Sequence, residues 1–134
     1  MSIYAERERQ IRIEGWTAEH DDAHKHCELR RAAECYEFPP VLRPIAGGPP
    51  RGWPWDLKWW KPSTDRTREL EKAGALFLAE GARQSRAQHF ATAKRMLAKA
   101  IACGKKIDRM NRRPGGLPII LTSSFSRKMS VSEK

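Results

Sequence analysis

Long apolar runs are missing from this chain: nothing approaches the roughly 18 consecutive apolar residues that a membrane-spanning helix needs. The opening residues Met1 to Arg7 hold no apolar signal-like segment, so neither export nor membrane insertion is expected. Cysteine is scarce. Cys27, Cys35 and Cys103 are odd in number and spaced neither as a disulfide frame nor as a CxxC metal knuckle, which fits reduced thiols in a cytoplasm. The nucleophile motif GxSxG and the phosphate-cradling GxxxxGK[ST] are absent, and the pairs Gly47-Gly48 and Gly115-Gly116 lack the rest of any such loop. Acidic residues nearly vanish after position 80. Residues 81–134 carry 13 Lys/Arg against Asp108 and Glu133, a net of +11, whereas residues 1–80 carry 13 against 14, a net of −1. Such asymmetry reads as a near-neutral domain followed by a basic arm.

What the chain does have is tryptophan, concentrated in one place. Trp53, Trp55, Trp59 and Trp60 place four of its five tryptophans within eight residues, with Pro54 and Pro62 near the two ends of the stretch. Proline fixes φ and disfavours helix, which lowers the entropy lost on ordering such a segment. Each indole removes a large apolar area from water and needs a partner for its N–H once buried. The stretch therefore reads first as a loop sealing a modest core, and second as an aromatic surface for a partner. The core must be modest because only 40% of residues are hydrophobic and 31% are charged.

The fold class is all-α: three to four short helices, a Pro- and Trp-rich irregular connection, and a basic C-terminal extension. A first helix is expected over residues 2–13, capped by Ser2, with Glu6 and Glu8 early and Arg9 and Arg12 late, as the helix dipole prefers. Thr17 suits the cap of a short turn. A second helix is expected from Cys27 to Glu37, where Leu29, Ala32, Ala33 and Tyr36 recur at helical spacing. Residues 39–52 hold five prolines and three glycines and read as irregular. A third helix follows the caps at Ser63 to Asp65, with Leu70, Ala73, Gly74, Phe77 and Leu78 on one face and an interruption at Gly81. A fourth is expected from Ser85 to Cys103, with Phe90, Ala93, Leu97, Ala100 and Ile101 as its apolar stripe and Gly104 as its stop. The expected division is a helical domain over 1–82, a basic helix or arm over 83–113, and a largely irregular or disordered tail over 114–134.

The blocks AERERQIRIEGWTAEHDDAH, ELRRAAECY, WPWDLKWWKP and RTRELEKAGALFLAE, in that order, resemble a set of small proteins encoded in bacteriophages and prophages. The resemblance runs from Ala5 to Glu80 and implies a phage protein at work in a bacterial host cytoplasm. It brings no activity, cofactor or site residues with it. Relatives continue the third helix with an acidic, leucine-containing turn, whereas Gly81-Ala82-Arg83-Gln84 here opens the basic extension.

Two clusters could carry chemistry. In a helix His20 and His24 share a face at the i, i+4 spacing of many metal-binding pairs, and Asp21 could complete a set suited to Zn, Mn or Fe. A divalent transition metal is thus the one cofactor the sequence raises; against it, Asp21 and Asp22 equally suit helix capping and pairing with arginines. Glutamates 6, 8, 28, 34, 69, 71 and 80 form no ExxE–ExxD set of the kind that holds Mg²⁺ in helical pyrophosphatases, and each has a basic neighbour. The second cluster is the basic segment Arg83, Arg86, Lys94, Arg95, Lys99, Lys105, Lys106, Arg109, Arg112 and Arg113. It would neutralise phosphates and release counterions, though Phe90 is its only aromatic, so base-specific reading is not expected.

The reading preferred from the sequence is a non-enzymatic binding protein that blocks a host macromolecule. Its most concrete form is a counter-defence (anti-CRISPR-type) inhibitor that engages a nucleic-acid-binding complex, a host protein or ribonucleoprotein, through the basic surface, with direct contact to DNA or RNA left open. The alternative is a small metal-dependent nucleotide hydrolase using His20, Asp21, Asp22 and His24.

Overall fold

A computed structural model describes residues 2–112. Five helices account for most of them: α1 (Ile3–Arg12), α2 (Ala18–Asp22), α3 (Glu28–Glu37), α4 (Arg66–Arg86) and α5 (Phe90–Met110), with short 3₁₀ turns at Pro40–Leu42 and Leu57–Trp59. The all-α class stands, with one helix more than the upper expectation. Arg113 and the segment 114–134 lie outside the described residues.

Helix α4 is the centre, and α1, α2, α3 and α5 all pack against it. Asp65 starts it by accepting a hydrogen bond from the Thr67 amide at 3.0 Å. Leu70, Ala73, Leu76, Phe77 and Ala79 are buried along its length. Small residues keep neighbouring helices close. A methyl added at Gly74 would meet Ile3 Cγ1 at 2.6 Å, and one at Gly104 would lie 3.6 Å from Ile3 Cδ1. Ile3, the first residue of α1, is therefore set against α4 and α5 together. Ser2 holds that start in place by accepting from the Ala5 amide at 3.0 Å.

Two glycines expected to end helices lie inside them. Gly81 sits in α4 opposite Ala93 O and Met96 Cβ of α5, each 3.5 Å from where its Cβ would be. Gly104 lies within α5. Glycine costs a helix roughly 1 kcal/mol relative to alanine, an amount that burial of the helix's apolar face easily exceeds. The real break falls at Gln88, whose φ of 66° turns the chain, with the His89 amide bonded back to Gln84 O at 2.8 Å. The fourth of the expected helices thus starts five residues late and runs past Cys103 to Met110. The division expected between residues 82 and 83 falls inside α4, and α5 lies packed on α4 rather than extended as an arm.

The buried stripe of α5 is Met96, Ala100 and Cys103. Of the stripe expected from the sequence only Ala100 is buried, while Phe90, Leu97 and Ile101 are exposed at 64%, 46% and 47%. In α3 the expected pattern is the observed one: Leu29, Ala32, Ala33 and Tyr36 are all buried.

Charged residues enter this core only in pairs. Glu69, 1% exposed, accepts both guanidinium nitrogens of Arg43 at 3.0 and 3.1 Å, Arg66 at 2.9 Å and the Ser63 amide at 3.1 Å. The same Arg43 reaches the carbonyls of Cys35, Tyr36 and Phe38. Arg66 donates to the carbonyls of Tyr36 and Glu37. The C-terminal end of α3, which lacks basic residues of its own, is thereby capped by two arginines from elsewhere. Glu6, also 1% exposed, is held by Arg9 at 2.9 Å and Arg68 at 2.7 Å.

The three thiols differ in setting. Burial pushes Cys35 and Cys103 up to about 11, aided by the nearby Glu34 and Glu37 carboxylates respectively. Cys27 is only partly buried and sits in the left-handed region at φ 66°. With a thiol reagent at neutral pH, Cys27 is expected to react first, and Cys35 and Cys103 only as fast as the protein opens. Equal labelling rates for all three under native conditions would contradict this packing.

Candidate functional site

The tryptophan loop divides its work among its four rings. Trp60 is buried, stacks on Tyr36 at 4.7 Å, donates its Nε1–H to Gly47 O at 3.0 Å, and carries the Arg43 guanidinium 5.0 Å from its ring centroid. Trp53 and Trp55 are half-buried, and Trp59 is 56% exposed. Trp53 meets Trp60 and Trp55 edge-on at 5.0 and 5.6 Å and bonds Asp56 O through its Nε1 at 3.2 Å. Core sealing therefore belongs to Trp60, with Trp53 and Trp55 packed against the core from its rim.

From Trp55 the chain of rings continues into the histidine segment. Trp55 lies 5.3 Å from His24 and 6.4 Å from Trp16; His24 meets His20 at 4.9 Å, and His20 stacks parallel on Trp16 at 5.5 Å. His20 is in α2 but His24 lies beyond its end, so the pair meets ring edge to ring face rather than side by side on one helix. Asp21 is fully buried. One of its oxygens accepts from Arg7 at 2.5 Å and the other lies 3.0 Å from His20 Nδ1. Asp22 faces Arg86 at 2.8 Å. Among the described residues no group of three or more His, Cys, Asp or Glu is arranged to hold a metal ion.

These rings enclose a cleft of about 640 Å³ between α1, the histidine segment, α3, α4 and the tryptophan loop. Trp16, Trp53, Trp55, Trp59, His20 and His24 form its walls, and Tyr36, Leu76, Gln10 and Glu6 lie deepest. Its charges are unevenly compensated. Arg9 binds Glu6 through both carboxylate oxygens and Glu14 through one, and Arg68 gives Glu6 a second cation. Burial by itself would raise Glu6, but hydrogen bonds from Arg9 and Arg68 outweigh it and hold the carboxyl below its ordinary value. Lys72 donates to Lys61 O at 2.7 Å and lies 5.4 Å from the Tyr36 ring centroid; burial, reinforced by nearby Arg68, lowers its pKa. Burial likewise pushes the Tyr36 hydroxyl up to about 12, and that hydroxyl accepts the Lys61 amide at 3.0 Å. Sequence reasoning reached the tryptophans and histidines of this cleft but not Trp16, Tyr36, Gln10, Lys61 and Lys72 as their companions, because these come from four separate segments.

The basic residues fall into two groups. Four serve structural contacts: Arg83 binds Glu80 at 2.8 Å, Arg86 binds Asp22, Lys106 binds Glu37 at 2.9 Å, and the Lys99 ammonium lies 5.3 Å from the Phe77 ring centroid. Lys94, Arg95, Lys105 and Arg109 instead lie on the exposed side of α5. Arg95 touches Thr92 Oγ1 at 3.0 Å. At 3.6 residues per turn Lys94, Lys105 and Arg109 fall within about 60° of one another, beside a strip formed by Phe90, Leu97 and Ile101. Arg112 follows the helix and Arg113 is outside the described residues.

Compared with family models, curated proteins and solved structures, this chain matches none of them. The geometry of the cleft and of the α5 face is therefore what a functional reading has to rest on. None of the helices among the described residues is long and apolar enough to cross a membrane.

Proposed function

We propose that this protein acts by binding rather than by turnover, engaging an anionic macromolecule through the outer face of α5. The observation that carries this reading is the pairing of two adjacent strips on one helix. One is basic, with Lys94, Lys105 and Arg109 in line and Arg95 farther round the helix, and has no carboxylate partner among the described residues; the other, Phe90, Leu97 and Ile101, is apolar and exposed. A merely solubilising face has no use for three large apolar side chains beside its cations, whereas a contact surface uses both. In its concrete form the partner is a host nucleic-acid complex whose phosphates meet the basic strip, and the protein is a phage-derived counter-defence inhibitor of the anti-CRISPR type. The other reading, a metal-dependent nucleotide hydrolase on His20, Asp21, Asp22 and His24, has less to rest on, since Arg7 and Arg86 already hold the two aspartates.

Four phosphate contacts give a log–log salt slope of about −3.6 on duplex DNA, or roughly 150-fold weaker binding at 200 than at 50 mM salt. Reversing two charges, Lys105→Glu with Arg109→Glu, is expected to cut that slope to about half while leaving the melting temperature unchanged, since both side chains are exposed. The measurement is affinity against salt for the captured host complex and, separately, for free duplex. A slope that the double reversal does not alter would remove α5 from the contact.

A further inference from the structure

The aromatic cleft is a second surface, built without α5, and its chemistry is different. Its size lies within the range of small-molecule sites, which are concave, mostly apolar and supplied with a few fixed polar groups. Indole faces stand at several tilts around one space, with Trp59 at the rim exposed in a way that core packing does not require. Trp55, one of the walls, carries a buried Nε1–H with no acceptor. Such a donor costs about 1–3 kcal/mol if left unpaired, but it is closed to solvent and so faces away from the open space of the cleft.

The charges decide between ligand classes. Aromatic cages that take quaternary ammonium groups surround the cation with ring faces and repel it with nothing. Here two ammonium groups, Lys61 and Lys72, border the same space with no carboxylate bound to either among the described residues, while Arg9 and Arg68 hold Glu6 and Arg9 also holds one oxygen of Glu14. Asp56 is the remaining anion of the lining, exposed and accepting the Lys58 amide at 3.0 Å. A planar ring bearing an anionic group satisfies both features: π-faces for stacking, and Lys61 with the two remaining N–H donors of Lys72 for the anion. The imidazoles of His20 and His24 and the amide of Gln10 supply edge donors and acceptors of the kind that read a heterocycle.

We infer that this cleft holds a nucleobase carrying a phosphate, the base stacked among the tryptophans and the phosphate on Lys61 and Lys72. The base comes either from a free nucleotide or from a single strand with one base turned into the cleft.

The test uses the full chain and isothermal titration calorimetry with the four nucleoside 5′-monophosphates, the parent nucleosides, inorganic phosphate, choline and a ten-residue oligothymidylate. One-to-one binding of at least one monophosphate is expected, with its nucleoside and phosphate alone each weaker by about tenfold or more. Trp59→Ala and Lys61→Ala, both at exposed positions, are each expected to weaken binding by about tenfold with the melting temperature unchanged. Tighter binding of the oligonucleotide, lost in the same two variants, assigns the base to a single strand; binding of the monophosphate alone assigns it to a free nucleotide. No heat from any nucleotide or oligonucleotide at millimolar concentration, preference for choline, or binding indifferent to both substitutions would each overturn the inference. Because Lys105→Glu with Arg109→Glu leaves the cleft intact, failure here and failure at the α5 face are separately visible.

Discussion

Replacing Trp60 by alanine is expected to remove about 3–5 kcal/mol of folding stability, the usual cost of deleting a large buried aromatic side chain. A domain of this size has about 5–15 kcal/mol in all, so the variant should be partly unfolded near 37 °C. The loss has several sources: the stacked face of Tyr36, the edge contact with Trp53, the Arg43 guanidinium and the hydrogen bond to Gly47 O all end on this ring. Trp59→Ala, by contrast, should stay within about 0.5 kcal/mol of the parent, as exposed positions generally do. Chemical denaturation of the two variants side by side checks the contrast. Equal and small losses would mean that the Pro- and Trp-rich segment is not part of the core, and with it the closed wall of the cleft would go.

The second large effect belongs to Glu69. Glu69→Ala leaves the buried guanidinium of Arg43 without its carboxylate, and breaking a buried pair on one side costs about 3–5 kcal/mol. Removing both charges together, as Glu69→Leu with Arg43→Met, should recover part of that loss, because the deeply buried Arg43 charge is gone and the part-exposed Arg66 keeps its bonds to the Tyr36 and Glu37 carbonyls. There is a pH signature as well. Burial by itself would raise the Glu69 carboxyl, but hydrogen bonds from Arg43, Ser63 and Arg66 outweigh it and hold it below its ordinary 4.5. Its stabilisation is therefore fully present above the unfolded value of 4.5 and drains away as pH falls through the lower folded value. Glu6 is depressed for the same reason and acts in the same window. Melting temperature measured from pH 7 down to 3 should fall steeply below about pH 4.5 in the parent and less steeply in Glu69→Ala. Parallel curves would show that Glu69 is not a source of acid sensitivity.

How much of this was legible in the sequence depended on whether the signal was local. Ser2 as a cap, the stripe Leu29-Ala32-Ala33-Tyr36, and the caps before α4 are decided within a few residues, and the structure has them where they were read. Gly81 and Gly104 do not end their helices, because a glycine's local cost is visible in sequence whereas the packing that carries a helix past it is not. The close approach that does require a glycine, Ile3 on Gly74, joins positions far apart in the chain. The face of α5 was misread for a related reason. Its sequence carries two apolar strips, Met96-Ala100-Cys103 and Phe90-Leu97-Ile101, and periodicity alone does not say which one meets α4. For the cleft, the tryptophans and histidines stood out by composition. That Lys61 and Lys72 border the same space follows only from the turn of chain that brings residue 61 back beside α4.

The central position of α4 also bears on how the chain comes to be folded. Its largest packing partners, α5 and α3, flank it in sequence, while α1 reaches it only through a long closure, Ile3 to Gly74. The α4–α5 hairpin can therefore form locally and fast, whereas docking of α1 closes a ring of about 70 residues and is expected later. During synthesis α1, α2, α3 and the tryptophan loop leave the ribosome before the helix that covers them exists. Leu29, Tyr36 and Trp60 then wait in water until about 25 to 55 further residues have been added, at a synthesis rate of about 5–20 residues per second. For those seconds the nascent chain displays a sticky aromatic surface that the finished protein hides.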